Sequence, residues 1–164
     1  MAKNGNSRDL LAAWLRDAYA MEKALVPVLE NHAKDAKRHP EVRARIEQHA
    51  QETQRHAQLV EQCLRQLGEE PSAMKTALGR AAGAVQSVAW GAFKDDEVKN
   101  ALSDYATENF EIACYRALIE AGRMTEHQEV VRVCQDILRE EEEMARFLEQ
   151  NLPTTVHDAL ARAA

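Results

Sequence analysis

Apolar residues recur along this chain at spacings of three and four, the period of one helix face. Four long segments carry such a stripe. Leu11, Leu15, Ala18, Leu25 and Leu29 predict a first helix over about 8–36. Val42, Ile46, Val60, Cys63 and Leu67 predict a second over 41–67, with Pro40 at its start and Gly68 at its end. Ala101, Tyr105, Ile112, Tyr115 and Ile119 predict a third over 96–121, opened by the acidic run Asp95-Asp96-Glu97 and closed by Gly122. Val130, Cys134, Ile137, Met144 and Leu148 predict a fourth over 126–151, opened by a capping box at Thr125–Gln128 and closed by Pro153. Ser7 is expected to cap the first helix, leaving 1–6 as a disordered tail, 7–152 as the helical bundle and 153–164 as a short C-terminal helix or tail.

Each stripe is interrupted near its middle by residues that water would normally keep. The first has Glu22, the third Glu108 and the fourth Glu141; the second has His49, Thr53 and His56, with Glu52 beside them. His49, Glu52 and His56 fall within an arc of about 60° on a helix that turns about 100° per residue. Glu111 stands one turn from Glu108. Glu140 to Glu143 are four consecutive carboxylates; such a run covers about 300° of a helix, so at least one of them must face inward.

Helices of this length are about 38 Å long. The short turns joining first to second and third to fourth predict antiparallel hairpins. The segment between the hairpins, 73–92, is of another kind: Gly79, Ala81, Ala82, Gly83 and Ala84 make it small and smooth, with few charges. It is expected to form an additional helix that carries the chain across the bundle. The expected fold is therefore all-α, a ferritin-like four-helix bundle with an additional helix between the second and third.

Composition agrees with helix, since Ala, Leu, Glu, Arg and Gln dominate and Gly and Pro are scarce. The net charge of −6 argues against nucleic acid or an anionic membrane as partner. No apolar run reaches the roughly 20 residues of a membrane span, and the polar start lacks a signal-peptide core, so a cytoplasmic protein is expected. The three cysteines, Cys63, Cys114 and Cys134, lie far apart inside helical patterns and read as reduced packing residues.

In an antiparallel bundle, helix midpoints meet at one level. Glu22, Glu52, Glu108, Glu111 and Glu141 would then converge with one or two imidazoles. Buried carboxylates repel one another and lose hydration, at a cost of several kcal/mol each. Two divalent ions would bring four positive charges, and carboxylates with imidazole suit iron or manganese. Set against this, a single Glu on a stripe is more often a rim residue, and a lone His a hydrogen-bonded core residue. Convergence from four helices tips the balance toward a metal site.

Five stretches resemble the ferritin-like superfamily, and within it the small bacterial stress proteins of the YciE/YciF type. They are Leu15–Lys23, His49–Thr53, Glu108–Tyr115, Leu138–Glu142 and the small-residue segment between the hairpins. The Glu108-x-x-Glu111 pair is also similar to the two-glutamate helix of rubrerythrins. The resemblance implies a homodimer, a link to stress physiology and a di-iron or di-manganese site; it supplies no settled reaction, and any chemistry at such a site would be oxidation of Fe(II) by oxygen or peroxide. The usual di-iron pattern has His three residues after Glu on the second and fourth helices; here those positions are Arg55 and Met144. His56, one residue later, is preferred as ligand over His49, one turn earlier. The departure leaves room for one ion, or for a degenerate site without metal in a non-enzymatic helical dimer that serves as a structural or interaction module.

Overall fold

The computed structural model describes residues 2–69 and 96–163, with side chains from residue 6 onward. They form four helices and no strand: α1 (Ala2–Asp35), α2 (Pro40–Gln66), α3 (Asp96–Met124) and α4 (Gln128–Ala163). The expected additional helix and the crossover fall outside the described residues. The architecture is an all-α four-helix bundle. α1 packs chiefly on α2 and α3 on α4, as two hairpins, and the hairpins meet along α1–α3 and α2–α4.

The stripes became the core. Leu11, Leu15, Ala18, Leu25 and Leu29 of α1 are all buried, as are Val130, Cys134, Ile137, Met144 and Leu148 of α4. The polar interruptions stay on the same inward faces and divide the interior. On one side lies a large apolar cluster that includes Leu11, Leu15, Leu64, Leu118 and Val130. On the other lies a smaller one built from Leu29, Ala33, Ile46, Ala50, Met144 and Leu148. Those apolar layers keep water from both ends of the polar level between them.

Helix ends differ from expectation in four places, the simplest being Gly122, which lies inside α3 and does not close it. α1 starts at Ala2, so residues 2–6 are helical where a tail was expected, and Ser7 lies inside the helix. Once a helix is anchored, each further residue adds one hydrogen bond without a new nucleation cost, and this carries α1 through the weak helix formers Asn4, Gly5 and Asn6. Thr125 does not open the fourth helix. Its hydroxyl donates to the Ala121 carbonyl at 2.8 Å and so closes α3. Pro153 does not end α4, which continues to Ala163. A proline removes one backbone donor, which costs α4 a single bond; around it Asn151 Nδ2 donates to Phe147 O at 2.8 Å and Thr155 Oγ1 to Asn151 O at 3.2 Å. Arg162 also reaches Glu97 at 3.4 Å, tying the extension to α3.

The end of α2 is as expected. Gly68 has φ of +73°, its N–H bonds Arg65 O at 2.9 Å, and Glu69 N–H bonds Leu64 O at 3.0 Å, the paired closure in which glycine carries the left-handed turn.

Candidate metal centre

Six polar side chains fill the level between the two apolar clusters: Glu22 from α1, His49 and His56 from α2, Glu108 and Glu111 from α3, and Glu141 from α4. All are at most 2% exposed. Helical spacing put them there. His49 and His56 are two turns apart on one face of α2, and their rings stand edge to face with centroids 6.4 Å apart.

Glu141 is the shared member. Its Oε1 lies 2.8 Å from His56 Nδ1 and its Oε2 3.3 Å from His49 Nε2. His49 Nε2 also lies 3.2 Å from Glu108 Oε1, and His56 Nδ1 lies 3.7 Å from Glu22 Oε2. Two groups of three ligand atoms result, Glu22–His56–Glu141 and His49–Glu108–Glu141, in each of which all atoms lie within 4.8 Å of one another. Glu111 is buried beside them but belongs to neither group.

These contacts are close without having the alignment of hydrogen bonds. Glu22 Oε2, His49 Nε2, His56 Nδ1, Glu108 Oε2, Glu111 Oε1 and both oxygens of Glu141 are buried with no hydrogen-bond partner. Orphaned buried polar atoms are uncommon in folded proteins, and seven atoms from one level ask for a shared partner. No Lys or Arg is buried among the described residues, so no ammonium or guanidinium neutralises these carboxylates from within the level.

The protons show the same strain. Burial pushes Glu22 above its usual range, against the pull of His56. Burial, helped by the charge of Glu141, lifts Glu108 to about 8 although His49 opposes it. Burial and three carboxylate neighbours, Glu141 first, hold Glu111 well above the usual range. For the imidazoles, burial acts downward but is overridden. Glu108, Glu141 and Glu52 hold His49 well above its ordinary value, and Glu141 with Glu22 lift His56 to about 10. Glu141 moves the other way; burial would raise it, but the two imidazoles hold it well below the ordinary carboxylate range.

Outside this level a further set of groups holds the imidazoles from behind. Glu52, expected among the converging carboxylates, is not with them. It accepts from Arg45 Nη1 at 2.9 Å and from Gln48 Nε2 at 2.7 Å, and its Oε2 lies 3.0 Å from His49 Nδ1. Burial acts upward, but His49, Gln48 and Arg45 together outweigh it, and its pKa falls to about 2. The reason is angular: Glu52 sits at the edge of the arc, with Thr53 turned inward beside it. Glu140 plays the matching part for His56, with Oε2 2.7 Å from Nε2 and an ion pair to Arg55. Tyr115 donates its hydroxyl hydrogen to Glu22 Oε1. The expected preference for His56 over His49 does not appear in the geometry, because each imidazole faces one of the two groups of ligand atoms.

Sequence reasoning missed Glu140, Arg45 and Tyr115 as neighbours of the site. Tyr115 was legible in part, lying on the stripe one turn beyond Glu111. Glu140 was legible only as one of the four carboxylates Glu140 to Glu143, and Arg45 gave no signal, since both lie off the stripes and reach in through their length.

The donor set fits a pair of divalent ions. It offers four carboxylates and two imidazoles, with Glu141 placed to serve both ions. Full ionisation of the four carboxylates beside neutral imidazoles is matched by four positive charges.

Known proteins share this frame. A protein from Xanthomonas campestris pv. campestris superposes with a TM-score of 0.81 at 37% identity, over 96% of this chain and 98% of that one. YcfI from Rhodopseudomonas palustris superposes with a TM-score of 0.69 at 24% identity, over 87% and 92%. The sequence profile of a family described as "Domain of unknown function (DUF892)" matches residues 6–161, and the chain belongs to that family.

Proposed function

We propose that the chain is a ferritin-like metal-binding protein, holding two divalent ions, iron or manganese, at the middle of the bundle. The observation that carries this reading is the pair of buried groups Glu22–His56–Glu141 and His49–Glu108–Glu141, which share Glu141 and leave their ligand atoms without hydrogen-bond partners. Glu111 would complete the carboxylate set. Arg45–Glu52 and Arg55–Glu140 would hold the imidazoles in the orientation and tautomer that point Nε2 of His49 and Nδ1 of His56 at the ions. Bound iron would supply one-electron chemistry toward oxygen or peroxide, and the stress-protein resemblance supports that use. The chain's own groups bind the ions, keep water out and take up or release the protons displaced by metal.

The test is anaerobic titration of the full chain with Mn(II) and Fe(II), followed by elemental analysis of the desalted protein. Close to two equivalents per chain are expected, and Glu141→Ala is expected to retain none, because both ions lose a ligand. Wild-type protein that retains no metal, or a Glu141→Ala variant that binds as wild type does, overturns the reading.

A further inference from the structure

A second polar site lies toward one end of the bundle, where the end of α1, the starts of α2 and α3 and the C-terminal half of α4 meet. They line a pocket of about 30 Å³, partly open to solvent, with Ala36, His39, Ile46, Asn100, Asp104 and Leu148 in its wall. One water needs about 10–15 Å³ on the same measure, so two oxygen atoms fit. Asp104 is anchored by His32, whose Nδ1 lies 2.6 Å from its Oδ1 in a buried pair. The other oxygen, Oδ2, has no hydrogen-bond partner, and neither has His39 Nε2. Their side chains are only 4% and 8% exposed. The nearest ionic neighbour of His39 Nε2, Asp158 Oδ2, stands 3.7 Å away, beyond hydrogen-bond reach.

What satisfies these two atoms is constrained by the wall. An anion is disfavoured by the carboxylates of Asp104 and Glu97, which both line the cavity. Among the described residues, no three metal-ligating atoms converge here as they do at the bundle centre. A neutral molecule with two hydroxyl donors answers both atoms and tolerates the aliphatic remainder of the wall.

We propose that this cavity binds a small hydroxylic molecule of one or two oxygen atoms, water at rest and hydrogen peroxide when present, held by Asp104 Oδ2 and His39 Nε2. Asp104 stands one turn before Glu108 on α3, about 6 Å along the axis, so the cavity adjoins the centre. Its use as a waiting place for the oxidant rests on the metal-centre reading, whereas its occupancy does not.

Crystals of the metal-free full chain, with and without a hydrogen peroxide soak, test the proposal. Density for one oxygen is expected beside Asp104 Oδ2 and His39 Nε2 without the soak, and density for two bonded oxygens after it. The variant Leu148→Phe, which fills the cavity, is expected to lose both; the wild-type soak decides the matter even if that variant does not fold. A cavity closed by its own side chains, or density that stays a single oxygen after the soak, overturns the proposal. Mn(II) titration of the same protein reads the metal centre separately, so failure of one is distinguishable from failure of the other.

Discussion

Glu141 and Glu52 are both glutamates on a helix, yet their surroundings give them opposite work. Glu141 lies fully buried between two imidazoles, with neither oxygen in a hydrogen bond. Glu52 is satisfied by Arg45, Gln48 and His49. Removing Glu52 should therefore loosen His49 without removing a ligand. Glu52→Gln is expected to weaken metal binding about 10–100-fold while leaving the stoichiometry unchanged, as read by calorimetric titration with Mn(II). Tyr115 makes a different prediction. Its hydroxyl is the hydrogen-bond donor to Glu22 Oε1, and Tyr115→Phe would leave a buried oxygen unsatisfied. The expected loss for the metal-free chain is about 1–3 kcal/mol, measured by urea unfolding.

At the scale of the elements, two glycines near helix ends serve unlike purposes. Gly68 takes the left-handed conformation after α2, and a methyl group there would meet only the Arg8 side chain, at 3.6 Å. Gly122 lets α3 approach α4, since an added Cβ would lie 2.9 Å from Val131 Cγ2. Gly68→Ala should cost about 1–2 kcal/mol, from backbone conformation alone. Gly122→Ala should cost about 1–3 kcal/mol by overpacking, and the further change Val131→Ala should recover part of it. Chemical denaturation of the two single variants and of each combined with Val131→Ala separates the two cases: recovery of Gly68→Ala by Val131→Ala would contradict the assignment. Sequence alone marked both as helix ends. Only the structure shows that one turns the chain and the other makes room.

For the molecule as a whole, the buried charges set how stability follows pH. Glu108 at about 8 and His56 at about 10 both lie above their ordinary values. A group whose pKa is raised by folding stabilises the fold below its unfolded pKa and loses that contribution as pH rises through the folded value. The metal-free chain is therefore expected to lose stability as pH rises from about 5 to 10, through Glu108 first and His56 later. Ligation requires those same protons to leave, so metal affinity should rise over the same range. Thermal melts at pH 6 and pH 9 check both: the metal-free midpoint should fall, and the increment added by Mn(II) should grow. A metal-free midpoint that rises with pH would contradict the placement of these groups. Glu52, held down to about 2, contributes stability that is lost only as pH falls below the ordinary carboxylate range.

Hydrophobic period determined the four helices, their inward faces and the positions at which a carboxylate or imidazole replaces an apolar residue. That much is local: a stripe repeats every three or four residues, and each break in it is visible without knowing the neighbour. The stripes accordingly placed Glu22, His49, His56, Glu108 and Glu141 inside. Tertiary structure decided what the period leaves undetermined. A few tens of degrees of helix rotation put Glu52 behind His49 and out of the shared level. Long side chains brought Glu140 and Arg45 in from off-stripe positions. The Arg162–Glu97 ion pair ties the part of α4 beyond Pro153 to α3. The sharing of Glu141 between two imidazoles depends on the distances among α2, α3 and α4, which are set when the hairpins pack against each other.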